Sequence, residues 1–284
     1  MGIGHDAGQK HSRYCGADDD TRHRHYVRVF PLKIMATIQP LSEATYGIWH
    51  NSSWISGADG FTPIQHQNQD VLRPLLDFVN SCVESGQNRD FEISSDSPVA
   101  TLFHMLSWRT VVWHGWSFVE AKSNWVFSCD PVFHLDENPD VRDLQIDAYM
   151  PVYEWLVEIG AEIREMPPLC PDSEDEWDAL EVDPGYRLSE STTNLLLSHW
   201  MALTVEQKAA AHYIYEHMEN VVPSLCAIML FMTGRLKGPK LAEILLAASG
   251  RFPGTEEEPD PEYDTDRAVV SRGVLSARRT CAEI

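Results

Sequence analysis

A histidine between two tryptophans is the residue of this chain whose neighbours best suit it for chemistry. His114 stands in the string Trp113-His114-Gly115-Trp116, and an imidazole can act as a general base or stack on a bound ligand. The candidate ligand-binding residues are His104, Trp113, His114, Trp116 and Trp125. An acid that orients His114 has to come from another part of the fold. A histidine of the core or of a hairpin edge is therefore the simpler interpretation.

A predicted helix carries two more histidines, in the string AHYIYEHMEN. His212 and Glu216 share a face, whereas His217 lies about 140° away at 3.6 residues per turn. This spacing is neither the HExxH of zinc peptidases nor the ExxH of di-iron bundles. The sequence therefore predicts no metal site here, and histidines at the surface or at the edge of the core explain the pattern.

The segment 165–183 is rich in carboxylates, the ligands that hard cations prefer. It carries eight acids between Glu165 and Asp183. The segment lacks the glycine-containing spacing of an EF-hand loop, and nothing fixes the geometry of the ligands. We predict a solvated loop without a metal, in which Trp177 anchors the loop on the core or docks on a partner.

The motifs of common catalytic classes are absent from the sequence. There is no GxSxG, P-loop or GxGxxG string. The six cysteines are scattered without a CxxC pair, which fits neither a zinc site nor the disulfide framework of a small secreted domain. The sequence thus predicts no catalytic residue and no cofactor, and it favours a reducing compartment.

The elements that must position these residues are predicted to be mainly helical. Apolar periodicity predicts helices over 70–84, 98–111, 140–163, 189–203, 205–220, 223–232 and 239–249. Thr204 and Gln207 form a capping box at the start of one of them, and Pro151 should break or kink another. Short connections join the later helices, which is typical of antiparallel neighbours. The predicted fold class is mainly α, a bundle-like single domain.

The tryptophan-rich stretch has a different period. Apolar and polar residues alternate on either side of the turn AKSN, which predicts a small β-hairpin around 113–129. A single helix over 98–128 is the competing interpretation. Because an isolated hairpin is marginal in water, the tryptophans most economically form the hydrophobic centre between two groups of helices.

Both ends of the chain differ in composition from its middle. Residues 1–34 contain four histidines and little apolar periodicity, which predicts a disordered arm. The string HRH at 23–25 is a candidate metal-binding tract, and Met35 is an alternative start to Met1. Residues 251–284 are first acidic and proline-rich and then basic, which predicts a disordered tail. The globular domain is expected to span 35–250.

The net charge restricts the class of partner. With 43 acidic and 22 basic residues, the 284-residue chain carries a formal charge of −21, which disfavours binding to nucleic acid and to anionic membranes. No signal peptide and no apolar run of membrane-spanning length is visible, so an intracellular location is expected. The acidic loops suit a partner protein with a basic surface.

These observations lead to two functional hypotheses. The leading hypothesis is a non-catalytic protein–protein interaction or regulatory module. The sequence does not predict its oligomeric state. The alternative is an enzyme or a small-molecule-binding protein with its pocket at the tryptophan and histidine cluster 104–125. The alternative requires a carboxylate within hydrogen-bond reach of His114.

Overall fold

Helices make up most of the residues that the structure describes, and a small antiparallel sheet accompanies them. The computed structural model describes residues 26–28, 35–50, 53–57, 62–85, 90–93, 97–167, 184–218, 221–253 and 260–284. The prediction of a mainly α fold with a small β element is confirmed. Over these residues no helix has the length and apolar character needed to cross a membrane.

The helices fall in two groups along the chain. The first group comprises α1 (Gln69–Glu84), α2 (Pro98–Trp113), α3 (Phe118–Ala121), α4 (Ser123–Ser128) and α5 (Pro139–Glu158). The second comprises α6 (Glu190–Met201), α7 (Val205–His217), α8 (Leu225–Met232), α9 (Gly238–Ala248) and α10 (Pro261–Glu283). Side-chain caps fix several starts, including Ser97 at α2 and the predicted capping box of Thr204 and Gln207 at α7.

Antiparallel pairing joins the strands. β2 (Thr37–Pro40), β3 (Tyr46–His50) and β4 (Ser53–Trp54) lie in this order, and β5 (Gln65–His66) also pairs with β3. A separate pair consists of β1 (Tyr26–Arg28) and β6 (Asp90–Glu92). Because β1 is a paired strand, the predicted disorder of 1–34 is wrong at these three residues. The four histidines of that arm lie outside the described residues.

Two clusters of buried side chains hold these elements together. The sheet core lies between the β2–β5 sheet, α1 and α2, and its members are Ala36, Ile48, Ile55, Ile64, Leu72, Leu75, Val79, Cys82, Val83, Ile93, Ala100, Phe103 and Leu106. The helical core is larger, and its bulkiest fully buried side chains are Trp200, Tyr149, Phe127, Phe133 and Phe231. α2 contributes to both clusters, since Phe103 and Leu106 belong to the sheet core and Met105 to the helical core.

The predicted β-hairpin around 113–129 is replaced by helix. α2 continues to Trp113, and α3 and α4 occupy most of the remainder. Consecutive residues of α4, Val126, Phe127 and Ser128, are all buried, whereas a strand with one solvated face would bury alternate residues. The β element lies instead in residues 37–66, a region for which the sequence pattern gives no assignment.

The C-terminal segment is helical and packs on the helical core. Asp260 caps α10 by accepting hydrogen bonds from the backbone N–H groups of Glu262 and Tyr263. Val270 and Val274 are among the buried residues of the helix, which packs against α2, α7 and α9. The disordered tail predicted over 251–284 is therefore wrong for Pro261–Glu283, and the domain does not end at residue 250.

α5 runs through its internal proline as one helix. Pro151 lies inside Pro139–Glu158, so of the predicted break or kink the break does not occur. Proline lacks the N–H that would bond four residues back, and burial of Tyr149, Val152 and Leu156 on either side of it holds the helix in place. Packing energy thus outweighs the local cost of the proline.

Candidate functional site: an exposed indole surface above a buried polar network

The end of α2 places two tryptophans at the surface. His114 is the C-cap, and Gly115 follows with a φ of +81°, a conformation that favours glycine. The N–H of Gly115 bonds to the carbonyl of Val112 and that of Trp116 to the carbonyl of Val111, which is a Schellman motif. The chain therefore turns sharply between Trp113 and Trp116, and these side chains remain 51% and 52% exposed.

A third tryptophan connects this surface to the interior. We define the indole surface as Trp108, Trp113 and Trp116. Trp108 is half-buried and stacks on the exposed Trp116, with 6.0 Å between ring centroids and 13° between planes. It also stacks on the buried ring of His212, with a centroid distance of 4.3 Å. The exposed ring of Trp116 thus rests on side chains whose positions the fold fixes.

A polar network lies beneath the indole surface. His212 is fully buried and hydrogen-bonds through Nε2 to Oγ of Ser117 at 3.3 Å. Its ring meets that of Trp200 edge to face at 5.2 Å. The indole N–H of Trp200 donates to Oε1 of Glu120 at 3.2 Å, and Nζ of Lys208 donates to the same oxygen at 2.8 Å. Glu120 therefore satisfies two buried donors at once.

A second ion pair lies next to Trp113. Nε of the buried Arg109 lies 3.3 Å from Oε1 of Glu206, which stands in the first turn of α7. The Arg109 guanidinium also lies 5.5 Å from the ring centroid of Trp113, within reach of a cation–π contact. The Arg109–Glu206 pair thus contacts one side of the Trp113 ring, and half of the surface of Trp113 remains accessible to solvent.

Burial makes His212 a neutral histidine. Burial, together with the positive charge of Lys208 on the preceding turn, lowers the pKa of His212 to about 3. A ring with so low a pKa carries no charge at neutral pH. It serves as a stacking platform and hydrogen-bond partner rather than as a proton shuttle.

Acidification is expected to destabilise the protein through His212. In the unfolded chain the imidazole takes up a proton near pH 6.5, but in the folded chain it does so only near pH 3. The stability that the neutral ring contributes is therefore complete above pH 6.5 and is lost as the pH falls toward 3, by about 1.4 kcal/mol per pH unit. Urea denaturation at pH 7, 5.5 and 4 measures this loss.

His212→Phe supplies the comparison for that titration. Phenylalanine keeps a ring against Trp108 and cannot be protonated. Between pH 6.5 and 4 the wild-type chain is expected to lose about 3 kcal/mol more of its unfolding free energy than the variant. Parallel pH profiles of the two proteins would contradict the assignment.

The five sequence-predicted site residues do not form one pocket. Trp113, His114 and Trp116 lie together at the end of α2, but His104 is buried and contacts His217, with 4.1 Å between ring centroids and 34° between planes. Trp125 lies on α4. It lines a cavity of about 260 Å³ together with Lys122, Ser128, Cys129, Tyr186, Arg187 and neighbouring residues. The alternative hypothesis requires all five residues to line one pocket. In the structure they lie in three separate places.

Among the residues that the structure describes, the side-chain partner of His114 is an amide and not the carboxylate that a general base would use. The side-chain amide of Gln65 donates to Nε2 of His114 at 2.9 Å, and Oε1 of Gln65 accepts from the hydroxyl of Thr45. Within the described part of the chain, no carboxylate hydrogen-bonds to this ring. The interaction ties the end of α2 to strand β5, so His114 has a positioning role in the geometry observed.

The tryptophans also differ from the predicted hydrophobic centre. Trp113 and Trp116 are half-exposed, and the indole at the centre of the helical core is Trp200, with no exposed surface. The sequence does not distinguish a tryptophan that will be exposed from one that will be buried. Only the fold shows the difference. Glu120 and Lys208, which hold the network, carry no motif that would single them out in the sequence.

Most of the acidic loop lies outside the part of the chain that the structure describes. Residues 168–183 lie outside the described residues, so the predictions for this loop and for Trp177 stay predictions. Among the residues that the structure does describe, no group of three or more His, Cys, Asp or Glu side chains is arranged to hold a metal ion. Among the described cysteines, Cys82, Cys226 and Cys281 are free thiols.

The fold is similar to that of Atp12 from Paracoccus denitrificans. That structure matches with a TM-score of 0.51 and 13% sequence identity, over 90% of this chain and 97% of that chain. A single-residue mutant of the P. denitrificans protein matches over the same shares, with a TM-score of 0.50 and 12% identity. At this level of identity the likeness establishes the fold.

A third structure, Atu1473 of Agrobacterium tumefaciens, is described as a chaperone candidate. It has a TM-score of 0.49 and 12% identity, over 86% of this chain and 83% of that chain. Neither the models of known protein families nor the curated protein sequences give a match to this chain.

Proposed function

We propose that this chain is a non-catalytic protein-binding protein of the assembly-chaperone type, which holds a partner polypeptide on its indole surface. The observation that carries the proposal is the exposure of Trp113 and Trp116, 51% and 52%, at a place where the backbone is fixed by a Schellman motif. Large apolar side chains side by side at a surface mark an interaction site more often than a solvated one.

The indole surface has the properties of a binding hot spot. Tryptophan and arginine dominate such sites because a large, rigid side chain buries much apolar area while few rotatable bonds are frozen. Here the indoles are already held by Trp108, His212 and Arg109. A surface that is ordered before binding loses less conformational entropy on binding.

Charge supports a basic partner. The chain carries a formal charge of −21, so a cationic polypeptide is attracted at long range and an acidic one is repelled. The likeness in fold to Atp12 agrees with a protein-interaction role.

The aggregation of a basic, unfolded protein provides the test. We expect the wild-type chain to suppress light scattering by reduced lysozyme at near-stoichiometric amounts. Trp113→Ser combined with Trp116→Ser is expected to raise the amount needed at least tenfold, because the substitutions remove the two exposed indoles. A tenfold change corresponds to about 1.4 kcal/mol, less than a typical pair of hot-spot residues contributes.

Two controls distinguish binding by the indoles from nonspecific hydrophobic binding and from electrostatic attraction. Val269→Ser removes a comparably exposed apolar side chain from α10 and is expected to behave as the wild type. Reduced α-lactalbumin, an acidic relative of lysozyme, is expected to be protected less well. Equal suppression by the double tryptophan variant would refute the role of the indole surface, and equal protection of both substrates would refute the preference for basic partners.

A further inference from the structure

α5 exposes one face along its whole length. Its exposed side chains are Pro139, Asp140, Asp143, Leu144, Asp147, Met150, Glu154, Val157 and Glu158. At 100° per residue they fall within about 140° of the helix circumference. The buried side chains Gln145, Tyr149, Val152, Trp155 and Leu156 lie on the opposite face. Within the described part of the chain, the helix is thus packed on one side only.

The exposed residues have a regular spacing. Asp143, Asp147, Met150, Glu154 and Val157 follow one another at intervals of four, three, four and three residues. Intervals of this kind form a continuous stripe along a helix, and they are the intervals through which one helix packs lengthwise on another. We call these five residues the α5 stripe.

The α5 stripe is strongly acidic and lacks internal compensation. Asp143, Asp147 and Glu154 belong to it, and Asp140 lies beside it. Within the described part of the chain none of these four carboxylates forms a salt bridge, whereas the neighbouring Glu158 is paired with Arg235. Like charges three or four residues apart repel one another, so a cationic partner would relieve a repulsion that the helix now carries.

Apolar side chains are interspersed among these acids. Val157 is 67% exposed, and Met150 and Leu144 are also exposed. On a helix face that contacts only water, the side chains of Met150 and Val157 do not stabilise the protein. Acids with apolar residues between them are complementary to a surface that alternates cations and apolar groups.

We infer that the α5 stripe binds a basic amphipathic helix of a partner protein. Lysine and arginine side chains of that helix meet Asp143, Asp147 and Glu154, and its apolar residues cover Met150 and Val157, as in the lengthwise pairing of two helices in a coiled coil. α5 has 20 residues and is about 30 Å long, which is enough for five turns of a partner helix. The stripe lies on a different helix from the indole surface, so this inference stands without the proposed function.

A second copy of the chain is a poor occupant of the same face. Pairing two α5 stripes would place carboxylates against carboxylates, in parallel or antiparallel orientation, at a cost in electrostatic energy. The overall charge of −21 adds to that repulsion. The chemistry of the stripe therefore favours a different, cationic polypeptide.

Fluorescence anisotropy with a designed peptide tests the inference on the full chain. The probe is an 18-residue peptide of lysine and leucine with leucines at heptad spacing, and the reference is its isomer with the two residue types in alternation. In 150 mM salt, where charges are screened beyond about 8 Å, we expect the helical peptide to bind at least tenfold more tightly than the isomer. Met150→Ser with Val157→Ser, and separately Asp143→Asn with Asp147→Asn, are each expected to weaken binding at least tenfold.

Matched variants elsewhere distinguish the stripe from the charge of the whole protein. Val269→Ser removes a comparably exposed valine of α10, and Asp77→Asn with Glu84→Gln removes two exposed acids of α1. These are expected to change the affinity less than twofold. The inference is overturned if the control variants weaken binding as much as the stripe variants, if both peptides bind equally, or if light scattering shows that the stripe substitutions dissociate a dimer.

Discussion

The substitution Val274→Asp is expected to unfold the protein at room temperature. Val274 has no exposed surface and lies in the helical core, on the face of α10 that packs against α2, α7 and α9. An unpaired carboxylate at such a position costs more than about 4 kcal/mol. Natural domains are stable by only about 5–15 kcal/mol in total. Loss of the cooperative thermal transition in circular dichroism, with a shift to the void volume in gel filtration, is the expected result.

The same helix provides the control. Val269 is 52% exposed, and Val269→Asp introduces the same charge into the same element without burying it. We expect its melting temperature to stay within about 2 °C of the wild type, since exposed substitutions rarely exceed about 0.5 kcal/mol. If both aspartate variants melted like the wild type, residues 261–283 would not be part of the fold.

Removal of the carboxylate of Asp130 is expected to have the second-largest effect. Oδ2 of Asp130 accepts from the backbone N–H of Cys226 at 2.8 Å, and Oδ1 accepts from the hydroxyl of Ser224 at 2.9 Å and from the N–H of Val132 at 3.2 Å. These contacts satisfy donors at the N-terminus of α8, every residue of which is buried. Asp130→Ala leaves them without acceptors, and we expect a loss of about 3–5 kcal/mol of unfolding free energy.

Two variants separate the causes of that loss. Asp130→Asn keeps one acceptor oxygen and the volume of the side chain, so its loss is expected to be about half as large. Asp77→Ala removes an exposed carboxylate from α1 and is expected to change the unfolding free energy by less than about 0.5 kcal/mol. Urea denaturation followed by tryptophan fluorescence measures all three. A loss below about 1 kcal/mol for Asp130→Ala would show that water replaces the carboxylate.

The helices that carry local signals are the ones that sequence patterns predict correctly. Ser97 before Pro98, and Thr204 with Gln207, mark helix starts through hydrogen bonds between residues at most three positions apart. Such signals do not depend on the rest of the fold. The predicted starts of α2 and α7 therefore agree with the structure.

The prediction of a hairpin around 113–129 failed because a short helix and a strand can present the same apolar residues. Alternation of Trp125, Phe127 and Cys129 resembles a strand, but Val126 and Ser128 between them are also buried. Burial of consecutive residues arises where a short helix is surrounded by other elements, and that environment is a tertiary property. The helix α10 was missed for a related reason, since its buried positions are sparse among charged ones.

The candidate site was predicted in part. Residue types identify Trp113, His114 and Trp116 as a group, and these three do lie together at the end of α2. Burial of Trp200 and His212, and the arrival of Glu120 beneath Trp200, depend on contacts across 80 or more residues. No local spacing encodes such contacts, so exposure and support of the indole surface could not be predicted from the sequence.

The sharing of α2 between the two cores makes the protein cooperative. Phe103 and Leu106 are buried in one cluster and Met105 in the other, so a fluctuation that melts α2 opens both at once. Opening of the sheet core alone would remove the packing of Phe103 and Leu106 and would thereby destabilise the helix that carries Met105 of the helical core. Trp108 and Trp113 lie on that helix and Trp116 follows it directly, so the packing of α2 in both cores also holds the indole surface in place.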